Sequence, residues 1–302
     1  MAKDAHTLRR AILSAPLDVD LFEPLSSATA LEIAAASVKG KLRAYNADHY
    51  LAIKLTRGLE TVVTSLAEAD RPPLFEEHGY AMFVADGSGS DGAGAYASRA
   101  ALSNLEYLAI QYGKWHLRVD KKTAADIKRH VQRLYRLEDD ALRQASRKLP
   151  GTILRTSLTM VALVGADVFV ANVGHSKAFL FRGGDLIPLT TNQTLTERRL
   201  GSRRDTDPGP LVTDAVGEHP GDADDMRVEI EHATMMPADR LLLCTNGLTD
   251  VVREDEIADA LALRRRPDDD CQHLVDLAVL TGSTDDITAM VADYRTVRAS
   301  DK

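Results

Sequence analysis

The sequence predicts an α+β domain in which antiparallel sheets are covered by helices. Three observations carry this prediction: short apolar runs with turn residues between them over residues 156–190, a helical apolar spacing over residues 124–149, and a buried-strand pattern that ends at Asp86. No internal repeat or linker interrupts the chain, so we expect one domain over residues 30–296. Residues 1–29 would form an N-terminal extension and residues 297–302 a short tail.

Composition excludes several classes of function. The chain has 302 residues, and 37 basic against 45 acidic side chains give a net charge of −8, which argues against nonspecific binding to nucleic acid or membranes. No apolar run reaches the roughly 20 residues of a membrane span, and the first residues do not resemble a signal peptide. Cys244 and Cys271 have no metal-ligand spacing. Since Cys244 lies in an apolar run, we expect a buried thiol and a cytoplasmic protein.

The stretch Tyr80–Ala100 places a carboxylate where a buried strand meets a glycine-rich loop. The apolar run 81–85 ends in Asp86, and Gly87, Gly89 and Gly92 follow. Their spacing matches a dinucleotide-binding turn, but Asp86 would face the pyrophosphate and no strand ending in an acidic residue follows about 20 residues later. We favour a hard cation held by Asp86 and the Gly87 carbonyl. A plain glycine-rich turn with a capping aspartate is the alternative.

The remaining elements follow from periodicity and turn residues. Strand patterns lie on either side of a turn near Gly40, and a loop with Arg71, Pro72 and Pro73 precedes the strand before Asp86. Helical stretches follow the glycine loop. The second, residues 124–149, is amphipathic and ends at Pro150 and Gly151; its apolar face is Ile127, Val131, Leu134, Leu137, Leu142 and Ala145.

The second half of the chain returns to a period of two. Residues 156–190 predict an antiparallel meander with turns at 165–167, 174–176 and 183–184, and residues 192–225 form a long polar excursion. An apolar strand at 241–244 then leads into Thr245-Asn246-Gly247. Helices are expected at 254–263 and 270–280, and Asp285 and Asp286 precede a final strand.

Six segments together resemble the metal-dependent protein phosphatases of type 2C, the PPM family. In chain order they are VKGKLRAYNADHY, VADGSGSDGAG, ANVGHSKAFLFRGGDL, LVTDAVG, LLLCTNGLTDVV and GSTDDITAMV. They resemble, respectively, the family's arginine motif, its aspartate-glycine motif, its hairpin, the end of its flap, its second aspartate-glycine motif and its terminal aspartate-asparagine motif. Six motifs in the family's order are far more specific than any one of them.

The resemblance implies two packed antiparallel sheets with helices on both outer faces, the α/β/β/α sandwich of the PPM type. It also implies two Mn²⁺ or Mg²⁺ ions and a metal-activated water that attacks phosphorus. By this carry-over, the catalytic residues are Arg43, which would bind the phosphate, and Asp48, which would orient or deprotonate the water. The metal ligands are Asp86, Gly87, Asn246 and Asp285, and residues 192–225 become a flap over the site.

Three positions depart from the family's pattern. Ala47 stands where the family has glutamate, Asn246 where it has a metal-binding aspartate, and His175 where it has a hairpin aspartate that binds a third metal. Asp250 still occupies the other position for that third metal. Fewer carboxylates should weaken binding of a hard divalent ion. Asp91 or His175 could supply a replacement ligand, although a surface or capping role is the simpler interpretation.

The preferred function is therefore a metal-dependent serine/threonine phosphoprotein phosphatase with a weakened metal site. Its partners would be phosphoserine and phosphothreonine proteins, with a cognate serine/threonine kinase. Ala47, Asn246 and His175 instead support a pseudophosphatase that acts as a phosphoprotein-binding or scaffold module. A nucleotide-binding oxidoreductase built on the glycine loop is the third reading.

Overall fold

The computed structural model of the protein describes residues 29–67, 75–89, 92–112, 117, 119–149, 151–191, 215–217, 226 and 228–296. Within that part of the chain there are ten strands and five helices. The strands are β1 (Thr29–Val38), β2 (Asp48–Leu59), β3 (Phe75–Ser88), β4 (Arg155–Val164), β5 (Asp167–Val173), β6 (Lys177–Arg182), β7 (Asp185–Pro188), β8 (Glu229–Thr234), β9 (Arg240–Cys244) and β10 (Ile287–Thr296). The helices are α1 (Ala93–Tyr112), α2 (Lys121–Arg147), α3 (Asn246–Thr249), α4 (Glu254–Ala262) and α5 (Pro267–Thr281).

The strands form two five-stranded sheets in which all neighbours are antiparallel. Sheet 1 has the order β1-β10-β9-β6-β7, and sheet 2 has the order β2-β3-β4-β5-β8. In sheet 2 the long β2–β3 hairpin pairs Asp48 with Asp86. In sheet 1, β1 pairs along its whole length with β10, from Thr29 with Thr296 to Val38 with Ile287.

Three apolar layers hold the sheets and helices together, as the two-residue period of buried strands requires. In β3, Met82 and Val84 face sheet 1, where Leu243 and Met290 belong to the same buried cluster. The other face of β3 carries Phe83, which packs in the cluster beneath α1 and α2. On the far side of sheet 1, α4 and α5 cover a third cluster. The predicted sandwich of two sheets with helices on both outer faces is confirmed.

The predicted meander over residues 156–190 is wrong in one respect. Its turns lie where the sequence placed them, but β4 and β5 belong to sheet 2 whereas β6 and β7 belong to sheet 1. The chain therefore crosses between sheets at residues 174–176. Because β5 and β6 are buried on both faces, their apolar pattern is the same whichever sheet they join.

The amphipathic helix is confirmed, with one exception on its apolar face. Helix α2 begins after Asp120, whose side chain accepts a hydrogen bond from the Thr123 N–H, as an N-cap does. Leu137 is 37% exposed. Tyr135 and Leu142 are buried in the cluster against sheet 2 instead, because the helical spacing that aligns these two residues leaves Leu137 at the flank.

Some predictions fall outside the described residues. They concern the extension before residue 29, the loop with Arg71, Pro72 and Pro73, the tail after residue 296, and all of the 192–225 segment except its three residues 215–217. Cys244 and Cys271 are buried free thiols, as expected of Cys244. Across the described ranges, no helix has the length and apolarity needed to cross a lipid bilayer.

Candidate functional site

Asp86 lies at the end of β3, where the strand leaves the buried centre of sheet 2. Its carboxylate accepts no hydrogen bond from any residue that the structure describes, although its backbone carbonyl accepts one from the Thr156 hydroxyl at 2.8 Å. Burial and the negative charge of Asp285 raise the pKa of Asp86 to about 7, against the opposite effect of Arg43. The site therefore carries more negative charge than its own side chains neutralise.

Gly87 can only be glycine, because the N-terminal turn of α1 crosses directly over it. A Cβ atom at Gly87 would lie 1.9 Å from the Gly94 carbonyl oxygen. On its other side, the Gly87 N–H donates to the Ala47 carbonyl at 3.0 Å. Gly87 therefore serves the close packing of α1 on β3.

Arg43 meets Asp285 across the site. Its guanidinium donates from Nε to Asp285 Oδ1 at 2.8 Å, and the ion pair closes at 2.6 Å from its terminal nitrogen. Partial burial opposes the charge, but the bond to Asp285 raises the pKa of Arg43 above its usual value. Asp285 Oδ1 also accepts the Asp286 N–H, so all of its bonds within the described residues go to one oxygen and Oδ2 is left without a donor.

Asp286 fixes the loop that carries Arg43. Its two carboxylate oxygens accept the backbone N–H groups of Gly40 at 2.7 Å and Ala47 at 2.8 Å, at the two ends of the loop between β1 and β2. Asp286 is only 2% exposed. Ala47 stands where the resemblance implies a glutamate. Its position is fixed by its backbone N–H, which donates to Asp286, and not by a side chain.

Asp48 is buried behind Asp86 and is held by two hydroxyl groups. Thr245 and Thr288 both donate to Asp48 Oδ2 at 2.8 Å, while Oδ1 is buried and has no hydrogen-bond partner among the residues that the structure describes. Burial and the charge of Asp86 raise the pKa of Asp48 well above its usual range, against these two hydrogen bonds. Oδ1 is therefore a buried acceptor with unused capacity.

The sequence did not single out Thr245 or Thr288, and the structure gives both a clear role. Thr245 precedes α3, where a threonine commonly caps the helix, but its side chain makes no capping hydrogen bond. Its Oγ1 instead accepts the Thr288 N–H at 3.0 Å and donates to Asp48. The available signal was a threonine directly before Asn246 and a hydroxyl residue inside the apolar run that begins β10.

Asn246, Asp250 and His175 form the far side of the site. The Asn246 amide donates to Asp250 Oδ2 at 3.1 Å across the short helix α3. Burial lowers the pKa of His175, and the nearby Asp250 carboxylate acts in the opposite direction. In the described part of the chain, His175 Nε2 is buried and no hydrogen-bond partner reaches it. Asp91, the other candidate for a replacement ligand, lies outside the described residues.

The oxygen donors suit a hard cation, but they are few. Asp86 and Asp285 Oδ2 are carboxylate oxygens without donors, and the Gly87 carbonyl and Asn246 amide are neutral oxygens of the kind that Mg²⁺ and Mn²⁺ accept. Within the described ranges, however, no three His, Cys, Asp or Glu side chains meet closely enough to hold an ion. Among the described residues, Asp86 and Asp285 are therefore the carboxylates offered to an ion where a fully carboxylate-lined centre would offer more.

A comparison with known protein families agrees with this fold and site. Residues 74–278 match the family described as protein phosphatase 2C. The serine/threonine protein phosphatase PstP of Mycobacterium tuberculosis is 26% identical over 221 residues, which cover 70% of this chain but only 40% of that relative. The serine/threonine phosphatase stp of Listeria welshimeri is 24% identical over 70% of this chain and 83% of its own length.

Solved structures share the fold. The catalytic domain of the phosphatase PstP, crystallised with two manganese ions, has a TM-score of 0.66 and 22% identity, over 88% of this chain and 99% of that one. A serine/threonine phosphatase of S. agalactiae has a TM-score of 0.68 and 20% identity, over 89% of this chain and 100% of that one. At these identities the agreement concerns the fold.

Proposed function

This chain belongs to the protein phosphatase 2C family, and from that membership we propose that it is a metal-dependent phosphatase acting on phosphoserine and phosphothreonine in proteins. The observation that carries the proposal is the meeting of Arg43 with Asp285 beside Asp86, in one pocket at the ends of β3 and β10. A guanidinium next to unneutralised carboxylates is the combination needed to bind a divalent ion and a phosphate together.

Asp86, Gly87, Asn246 and Asp285 would hold Mn²⁺ or Mg²⁺, the ions that such oxygen donors favour. Bound there, a divalent ion would lower the pKa of a water and offset the charge of the phosphate. Burial and the charge of Asp285 raise the pKa of Asp86 in spite of Arg43, so a bound cation would offset negative charge that Arg43 alone does not neutralise.

Arg43 would orient the phosphate. Its planar guanidinium can make two parallel hydrogen bonds to a phosphate. In this structure two of its nitrogens point to the single oxygen Oδ1 of Asp285. Asp48 would accept a proton at Oδ1, since Thr245 and Thr288 occupy Oδ2 and fix the direction of the carboxylate. Arg43 would thus serve substrate binding, and Asp48 would serve proton transfer.

The metal site would be weak. Asn246 supplies an oxygen without charge, and Ala47 supplies none, so fewer anions hold the ions than the family's pattern provides. Asp250 and His175 would form a third, looser position for a metal, with one carboxylate and one imidazole nitrogen. We therefore expect activity to need a high concentration of Mn²⁺.

The partner that this activity requires is a kinase that phosphorylates the same proteins. The compartment would be the reducing cytoplasm, which suits the buried free thiols Cys244 and Cys271. The relatives reported above are named as phosphatases, which does not favour a scaffold that lacks turnover. That alternative predicts phosphopeptide binding with no release of phosphate.

Phosphate release from a phosphothreonine peptide, measured with a colorimetric phosphate assay in millimolar Mn²⁺, tests the proposal. The wild-type chain should release phosphate, and Asp86→Ala should lower the rate by at least about 10–100-fold, because it removes the expected bridging oxygen. Asp185→Ala, an exposed change in β7, is the control and should keep the wild-type rate. Equal rates for wild type and Asp86→Ala would refute the proposal.

A further inference from the structure

The polar segment after β7 returns to the domain through three buried residues. Ala215 and Val216 are 3% and 0% exposed, and Gly217 is buried beside them. The Val216 backbone exchanges two hydrogen bonds with Thr156 at the start of β4, at 3.1 and 2.9 Å. The pairing of β5 with β4 begins at Leu158. Beside Thr156, just before that pairing begins, Val216 occupies the position next to β4 that β5 occupies further along the strand.

A buried carboxylate on α2 secures the same point. Asp139 is 0% exposed, and its Oδ1 accepts the Gly217 N–H at 2.7 Å. A hydrogen bond from a charged acceptor to a buried backbone donor is among the stronger ones in proteins. The return point is therefore bound to the sheet on one side and to the helix layer on the other.

Thr156 connects this return point to Asp86. Its backbone lies between Val216 and Gly87, which is its partner in the β3–β4 register. Its hydroxyl lies 2.8 Å from the carbonyl oxygens of Asp86 and Ser157, so its single hydrogen is shared between them. Thr156 is 0% exposed.

A transverse row of contacts thus crosses sheet 2 at the level of the candidate site. It runs from Ala47 through Gly87 and Thr156 to Val216, and ends at Asp139 through Gly217. None of its contacts involves the carboxylate of Asp86 directly. The Thr156 hydroxyl and the Gly87 N–H hold the backbone from which that carboxylate projects, and the other contacts hold Thr156 in turn.

We propose that Thr156 is a positioning residue that couples the return point of the 192–225 segment to Asp86. The inference rests on the proposed function, since it assigns Asp86 a role in metal binding. A shift of the backbone at Val216 or Gly217 would be transmitted through Thr156 to the Asp86 backbone. Metal affinity and the contacts of residues 215–217 would then be linked, as two sites that bias one element are.

Amide hydrogen exchange of the full chain tests the coupling without any metal. Asp139→Ala removes the acceptor of Gly217 and should speed exchange about fivefold, the equivalent of one net hydrogen bond, in peptides covering residues 215–217 and also residues 80–89. Thr156→Val should speed exchange at residues 80–89, and Thr156→Ser should restore the wild-type rate.

Thr159→Val is the matched control, because Thr159 is a buried threonine on the same strand whose hydroxyl donates to Asn172 rather than to Asp86. It should leave exchange at residues 80–89 unchanged. Equal effects of Thr156→Val and Thr159→Val, or an Asp139→Ala effect confined to residues 215–217, would overturn the coupling.

Calorimetric titration with Mn²⁺ alone gives the second readout. Thr156→Val and Asp139→Ala should each raise the dissociation constant about fivefold, and the double variant should show less than the product of the two because both act through one row. An exactly multiplicative double variant would contradict the shared path. If the wild-type chain binds no Mn²⁺, the proposed function fails, while the exchange measurements still decide the role of Thr156.

Discussion

At the scale of single residues, the candidate site is defined by charge that its own donors do not neutralise. Asp86 has no hydrogen-bond donor within the described residues, and the pKa of its carboxyl is raised to about 7 by burial and by Asp285. Asn246 stands beside them with a neutral amide. The number of anionic oxygens, rather than the shape of the pocket, should therefore limit metal affinity.

Restoring the missing carboxylates should strengthen Mn²⁺ binding. We expect Ala47→Glu combined with Asn246→Asp to lower the Mn²⁺ dissociation constant by about 10–100-fold and to raise phosphate release at low Mn²⁺. Asn46→Asp adds a charge in the same loop at a position not expected to bind metal, and should have little effect. A comparable gain in that control would mean that net charge alone explains the change.

Glu138 is a titratable residue outside the site whose ionisation should oppose folding. It is 0% exposed on α2, and burial raises its pKa from 4.5 to about 8, with the charge of Asp139 adding to the shift and Asn104 opposing it. Between these values the folded chain holds a proton that the unfolded chain has released. Stability should therefore fall as pH rises through this interval, by up to about 1.4 kcal/mol per pH unit.

Urea unfolding of Glu138→Gln from pH 5 to pH 9 measures this effect. The variant should be less sensitive to pH than wild type, so that its relative stability improves as pH rises. The exposed Glu106→Gln on α1 is the control and should follow the wild-type slope. Parallel curves for Glu138→Gln and wild type would show that Glu138 does not titrate in this range.

At the scale of elements, the loop between β1 and β2 is held as a unit by a residue far away in sequence. Asp286 accepts the N–H groups of Gly40 and Ala47, and this fixes the loop from which Arg43 reaches Asp285. Leu42, the leucine of this loop, is 80% exposed and therefore does not anchor the loop in the core. The two hydrogen bonds to Asp286 are therefore the contacts that tie both ends of the loop to the residue before β10.

Replacing Asp286 should loosen this loop in two steps. Asp286→Ala leaves two buried N–H groups without acceptors and should cost about 2–4 kcal/mol of unfolding free energy, whereas Asp286→Asn keeps one acceptor and should cost about half as much. The Michaelis constant for phosphopeptide should rise in the same order, because Arg43 is carried by the loop. Thermal unfolding and steady-state kinetics check both effects, and an unchanged Michaelis constant in Asp286→Ala would contradict this role.

The elements themselves could be predicted well where local signals were strong. The strand before Asp86, the helix after the glycine loop and the strand after Asp286 follow from apolar runs and turn residues close to one another in sequence. Sheet membership could not be predicted, because β5 and β6 carry the same buried pattern in either sheet. The contacts of Thr245 and Asp139 were also missed, since each partner lies far away in sequence.

At the scale of the whole molecule, one buried arginine joins sheet 1 to its helices. Arg240 in β9 is 1% exposed and donates to Asp270 of α5 at 2.6 Å, to the Leu261 carbonyl of α4 at 3.0 Å, and to Asp293 of β10. It therefore connects four elements at one point. Removing one partner of a buried ion pair leaves an uncompensated charge, which is costly.

Arg240→Met should lower the unfolding free energy by about 3–5 kcal/mol while leaving the turnover of the folded chain unchanged, because Arg240 does not contact the candidate site. Arg295→Met removes an exposed ion pair with Glu32 and should cost less than about 1 kcal/mol. Thermal unfolding and phosphate release measure the two quantities. A small loss of stability in Arg240→Met would show that its carboxylate partners find other donors.

The pairing of β1 with β10 also bears on how the protein is made. Sheet 2 contains two hairpins, β2–β3 and β4–β5, and its strands β2 to β5 all precede β6 in the chain. These four strands can therefore pair while later residues are still being synthesised. Sheet 1 needs β10 between β1 and β9, and Asp285 enters only with that strand. Because closing so long a loop precedes these contacts, sheet 1 should form late. During synthesis the chain would contain Asp86 well before Asp285, so the candidate site would stay incomplete until synthesis is nearly finished.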